Sequence, residues 1–177
     1  MIVDQPGSHY IFVFSRKYVY GGSNYIKYQT KPLTNKEYLQ HWGKWFLLGT
    51  REELEELAIR LDPYVEREQI PCIKFDREVQ KDFEEMLLRE CVMCIYCDER
   101  EREDVWEILA QEGVKTKAWQ YEKNTLEAWL PGGRLLERWI TAKRLTGVNA
   151  ERVREDARLY FAQTFEDDDA IFTGVIQ

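Results

Sequence analysis

The sequence predicts an α+β domain in which helices lie on one face of a sheet. Two observations carry this: a strand–helix–strand pattern at residues 45–75 and a second one at residues 91–121. A third is the capping signal that opens the helix of each unit.

His9 to Phe14 reads as a strand. Tyr18-Val19-Tyr20 and Tyr25-Ile26-Lys27-Tyr28 flank Gly21-Gly22-Ser23-Asn24, which predicts a hairpin or a bulged strand. Pro32 to Gln40 is expected to connect, with one helical turn. Trp45-Phe46-Leu47-Leu48 is a buried-type strand closed by Gly49. Thr50 and Glu53 then form a capping box, in which the hydroxyl accepts from the N3 amide and the carboxylate reaches back. Leu54, Leu57, Ala58 and Leu61 recur at helical spacing, so the helix should run to about Arg67 with a distortion at Pro63. Ile70 to Phe75 is the next strand, and Pro71 makes it start late or lie at an edge.

A charged helix is expected over Glu78 to Arg89. Cys91 to Cys97 is a strand, Asp98 an N-cap, and Val105, Ile108 and Leu109 the stripe of a helix stopped by Gly113. Lys115 to Tyr121 closes the second unit as a strand. After the Pro131-Gly132-Gly133 turn, one helix carries Leu135, Leu136, Trp139 and Ile140. Another follows Asn149, and Ile171 to Ile176 is a last short strand. No low-complexity linker interrupts the chain. The 177 residues therefore read as one domain, with a core at 10–125 and a helical extension at 126–177.

Hydrophobic residues at 44% and charged residues at 32% describe a globular chain rather than a disordered one. The net charge of −7 is uneven. Residues 1–50 hold six basic and two acidic residues, a balance of +4 that leaves −11 for the rest. An acidic body repels nucleic acid in bulk, so any anion would be met by the basic, tyrosine-rich N-terminal segment. No run approaches the length of a membrane span, and the N-terminus lacks the basic start and apolar stretch of a signal peptide. A cytoplasmic location, reduced thiols and no membrane partner are the expectations.

Three stretches carry a resemblance to a known family. They are Gly43-Lys44-Trp45-Phe46-Leu47-Leu48 with its leucine-rich helix, Val92 to Asp98 with the helix containing Val105 to Leu109, and Gly113-Val114 with Ala118 to Thr125. In this order they resemble the Bles family and, more distantly, the eukaryotic cap-binding translation initiation factor. The resemblance covers about residues 10–125 and implies a curved, mainly antiparallel sheet backed by helices on one face. In the initiation factor two tryptophans sandwich a methylated guanine. Here the first loop has Tyr18 and Tyr20 but no Trp, and residues 66–90 have none, so that sandwich is not carried over.

The candidate sites are local. Cys91, Cys94 and Cys97 have a spacing that serves metal clusters when the backbone loops, but strand alternation sends Cys94 opposite to the other two. No metal and no cofactor are expected. Lys17, Tyr18, Tyr20, Lys27 and Trp42 form a basic aromatic set suited to stacking a base and holding its phosphates, or simply a tyrosine-lined sheet. Trp129 with Gly132, Gly133 and Arg134 reads either as an anion cradle at a helix start or as a plain Pro-Gly turn. The expected function is a nucleotide- or RNA-binding module. The alternatives are an enzyme acting on a phosphorylated substrate in the manner of a phospholyase, and a protein-interaction domain.

Overall fold

The structure is a computed structural model that describes residues 1–81 and 89–173. The expected helix over Glu78 to Arg89 falls mostly outside the described residues, as does the end of the expected last strand. Among the described residues, Ile171 forms an isolated antiparallel bridge with Thr34.

Six strands make one antiparallel sheet: β1 (Ile2–Val3), β2 (Tyr10–Phe14), β5 (Trp42–Gly49), β6 (Cys72–Asp76), β7 (Cys91–Asp98) and β8 (Trp119–Tyr121), in the order β1-β2-β6-β7-β5-β8. Both strand–helix–strand units are present. The first joins β5 to β6 through helix α3 (Arg51–Glu66), and the second joins β7 to β8 through helix α4 (Arg102–Gln111). The units interlock. β7 sits between β5 and β6, and β5 sits between β7 and β8, the split β-α-β arrangement. The register pairs Trp45 with Ile95 and Lys44 with Tyr96, so the two signature strands are direct neighbours.

Helix α3 begins as the sequence predicts, with both arms of the Thr50–Glu53 capping box formed. Leu54, Leu57, Ala58, Leu61 and Val65 face the sheet and are buried. They pack on Ile11, Val13, Ile73, Phe75, Met93 and Ile95, the inward set of alternating strand residues. Leu61 has no exposed surface, so truncation to Ala would cost about 2–5 kcal/mol. On the same face Trp45 packs edge-on to Trp119 and tilted against Trp106, and its indole donates to the Arg102 carbonyl at 3.2 Å.

The expected hairpin at Tyr18–Tyr28 is not formed. Residues Arg16–Gly21 are helix α1, and Gly22 ends it in the left-handed conformation at φ +63°. The glycine pair thus serves as a helix stop and not as a hairpin turn. The Glu66 carboxylate accepts from the Arg16 amide, which favours a helix start there. The small two-stranded ribbon is displaced to β3 (Lys27–Tyr28) and β4 (Lys31–Pro32). The connecting segment expected to hold one helical turn holds helix α2 (Asn35–His41), opened by a second capping box between Thr34 and Glu37. Pro71 does delay its strand to Cys72, but β6 lies inside the sheet, paired to β2 and β7. Lys115 to Tyr121 pairs only from Trp119, after the Ala118 carbonyl accepts from Phe46.

The other sheet face carries a second apolar layer of Ile26, Leu33, Tyr38, Trp42, Cys72, Cys94, Tyr96 and Phe172. Helix α2 and helix α5 (Glu122–Ala128) lie beside it. Beyond them α6 (Arg134–Ala142) and α7 (Gly147–Glu166) form a hairpin around Leu136, Ile140 and Ala150. The end of α7 is tied to the start of α2, where Asn35 donates to the Gln163 and Asp167 carbonyls. No helix among the described residues is long and apolar enough to cross a membrane.

Candidate functional site

Between the second sheet face and the C-terminal hairpin lies a cavity of about 700 Å³. Its floor is Tyr10 from β2, Lys74 from β6, Tyr96 from β7 and Lys44 from β5. Strand alternation explains why these four share a face. Lys74 pairs with Cys94 and Lys44 with Tyr96, and all project away from the α3 side. Tyr38, Glu122 and Thr125 form one wall. Phe172 stacks on Tyr38, and Trp129, Leu136, Asp156, Tyr160 and Phe161 from the C-terminal helices complete the lining.

The floor is charged. The Lys44 ammonium is ion-paired with Glu122, donates to the Thr125 hydroxyl at 3.0 Å, and stands 5.6 Å from the Tyr96 ring centre. The Tyr38 hydroxyl donates to the other Glu122 oxygen at 3.4 Å. Lys44 and Glu122 are both almost fully buried. Lys74 lies with its amine 4.4 Å from the Tyr10 ring centre. Burial lowers its pKa, against the opposing effect of Cys94, Glu122 and Asp76 and together with that of the Lys44 charge. Lys74 keeps some accessible surface despite its depth, because the surface it exposes is cavity wall. Burial and the Asp76 carboxylate push the Tyr10 phenol up to about 12, and burial raises Tyr38 and Tyr96 as well. These phenols therefore remain protonated donors at neutral pH.

The residues singled out by sequence disperse. Lys17 and Lys27 both pair with Glu68, at 2.8 and 2.7 Å, and the Tyr18 hydroxyl donates to it at 2.9 Å. The two ammonium groups hold the Glu68 carboxyl down at about 2. One carboxylate thus offsets one of these two charges within the fold, and this part of the basic patch does not line the cavity. Tyr20 is 78% exposed on α1. Trp42 is fully buried in the second layer near Tyr38, so no base can stack on it.

Trp129 does line the cavity, but its neighbours do not cradle an anion. The Gly132 amide donates to Glu137 and the Gly133 amide to the Leu130 carbonyl. Gly133 is needed for close approach, since a Cβ there would lie 2.5 Å from the Ala128 carbonyl oxygen. Arg134 is exposed and away from the cavity lining. Cys91 and Cys97 lie on the α3 side and Cys94 on the other, as alternation predicts. Among the described residues no three His, Cys, Asp or Glu side chains are grouped to hold a metal ion.

Sequence reasoning missed Lys44 and Lys74. The signal was there: each is a lone lysine inside an apolar strand, in Gly43-Lys44-Trp45 and Ile73-Lys74-Phe75. A lysine in a strand interior either lies at an edge or faces an enclosed polar site. A second concavity of about 480 Å³, lined in part by Lys36, Glu99, Lys123 and Asp168, has no buried residue in its lining. No protein-family model, curated protein or solved structure matches the chain.

Proposed function

We propose that the chain is a binding module for a small planar anion of the nucleotide class, free or as the end of a short RNA, and that the cavity above the sheet is its site. One observation carries the reading: Lys74 stands on a cavity floor beside the paired Lys44, and Tyr10, Tyr96, Trp129, Tyr160 and Phe161 give the same cavity aromatic surface. An aromatic wall stacks a flat ring of any identity, worth about 1–3 kcal/mol per base, while an ammonium neutralises a phosphate. The direct pairing of the Gly43–Leu48 and Val92–Tyr96 strands is in keeping with kinship to the Bles-type family and the cap-binding factor. The test is a titration of mononucleotides and short RNAs at low salt, followed by tryptophan fluorescence. Binding is expected to weaken with salt and on Lys74→Ala, and to be untouched by Lys17→Ala. A flat titration across the panel overturns the reading.

A second reading is favoured by the place of Lys74, a lysine on the floor of a cavity with its amine 4.4 Å from the Tyr10 ring centre. In it the cavity processes a phosphorylated substrate, with Lys44 and Lys74 taking the place of Arg134. Phosphate release from phosphopeptides, abolished by Lys74→Met, would support it. No release from any phosphopeptide or phosphate monoester tested would remove it.

A further inference from the structure

We infer that the outer face of α6 is a phosphate-binding path for a single strand of RNA, with Arg134, Arg138 and Arg144 as its contacts. The end of the strand occupies the cavity, which rests on the nucleotide reading above. The path across α6 rests on the arginines themselves.

The chain is acidic, yet its C-terminal hairpin is not. Residues 134–158 hold seven basic and four acidic residues, a balance of +3 that leaves −10 for the rest. The carboxylates of the hairpin are mostly committed within it. Glu137 and Glu151 pair with Arg154, and Glu155 pairs with Arg158. Asp156 lines the cavity. Among the described residues no carboxylate pairs with Arg134, Arg138 or Arg144, and all three are exposed. Several arginines elsewhere are matched to acids, such as Arg60 to Glu112, Arg77 to Asp4 and Arg100 to Asp98. The outer side of the hairpin therefore carries positive charge that no neighbouring acid offsets, a local field suited to a polyanion.

Helix α6 has two faces. Leu136 and Ile140 are buried, and Leu136 lines the cavity together with Trp129, which precedes the helix. Arg134 and Arg138 stand on the exposed side, one turn apart, about 6 Å along the axis. Arg144 lies just past the helix end. It holds the left-handed conformation at φ +54°, while its amide and that of Leu145 donate to the Thr141 and Ile140 carbonyls. Glycine adopts that conformation at least cost, yet an arginine stands there. Guanidinium groups suit phosphates because each presents a planar fork of N–H donors and keeps its charge. α6 exposes no large apolar residue, so its arginines lack the apolar anchors of a membrane-surface helix. A strand leaving the cavity reaches them across the width of one helix, about 10 Å.

The experiment uses the full chain. Nucleoside 5′-monophosphates and an RNA of about ten nucleotides are titrated between about 50 and 200 mM salt. The RNA is expected to bind about tenfold or more tighter than any mononucleotide, and Arg134→Gln, Arg138→Gln and Arg144→Gly combined should remove most of that gain. The logarithmic salt slope should fall by about 2, the counterions released at three single-strand phosphates. Mononucleotide binding and the thermal unfolding midpoint should not change. Photocrosslinking of the same RNA to the unaltered chain, read by peptide mass spectrometry, should label residues 129–144, so a folding defect in the variant cannot hide the answer. RNA binding unchanged in the triple variant overturns the inference, as do crosslinks confined to other segments. Binding of phosphatidylserine vesicles with no binding of RNA overturns it too. RNA binding through the arginines in a protein that binds no mononucleotide upholds the path and removes only the cavity reading. Mononucleotide binding with no gain from RNA length does the reverse.

Discussion

Lys44 and Glu122 form a buried ion pair between the middle of β5 and the first residue of α5, with Thr125 and Tyr38 supplying further hydrogen bonds. The pair fixes α5 against the sheet and builds one wall of the cavity. Two buried charges gain from each other only while both remain. Glu122→Leu is expected to destabilise the fold by about 3–5 kcal/mol, since it leaves an ammonium without its anion. Lys44→Met combined with Glu122→Leu should recover most of that loss. Urea unfolding of the single and double variants checks this. Equal stability of the single variant and the wild type would contradict the role given to the pair.

Gly43 is the close-approach point between β5 and β8. A Cβ there would lie 2.3 Å from the Trp119 ring and 2.8 Å from the Gln120 carbonyl oxygen. Gly43→Ala should therefore displace β8 and lower stability by about 1–3 kcal/mol. The near-ultraviolet signal of the Trp45–Trp119 contact should change with it. A crystal structure of the variant with β8 in place and no loss of stability would contradict this.

Glu68 gives the fold an acid-sensitive contribution. Hydrogen bonds from Lys17 and Lys27 hold its carboxyl at about 2, against an ordinary value of 4.5. The folded chain then takes up that proton less readily than the unfolded chain. The stabilisation is complete above about pH 4.5 and is lost as pH falls through 2. Glu68→Gln should be less stable than wild type at neutral pH, with the gap closing towards pH 2. Urea midpoints measured across that range test it, and a gap independent of pH would refute it.

Tyr160 lies on the cavity side of α7 and is 59% exposed. Its removal should change stability by no more than about 0.5 kcal/mol. If the ring stacks on a ligand, Tyr160→Ala should weaken nucleotide binding by about 5- to 150-fold, the equivalent of 1–3 kcal/mol. Calorimetric titration beside thermal unfolding separates the two effects.

The four cysteines are all buried and free, and burial raises the pKa of each thiol. A thiol kept protonated and covered reacts slowly. Ellman's reagent should therefore find few accessible thiols in the native protein and four after unfolding in urea. Rapid reaction of all four in the native state would place them differently.

What could be read from residues alone is local. Thr50 and Glu53 announce α3 because a capping box is settled within four residues. Cys91 to Cys97 shows its two faces because a strand alternates whatever lies beside it. Gly21-Gly22 misled because a left-handed glycine ends a helix as readily as it makes a turn, and the contacts of α1 with Glu66 and Glu68, some 50 residues away, favour the helix.

By itself the sequence determined the two strand–helix–strand units, the start of α3 and the alternation of each strand between its two faces, all consequences of short-range geometry. Tertiary structure alone decided that β7 enters between β5 and β6, that Lys17, Tyr18 and Lys27 spend their polar groups on Glu68, and that Lys44, Lys74 and Trp129 meet around one cavity. Those are pairings between residues tens of positions apart. Their register is set by the packing of whole faces, and no local pattern encodes it.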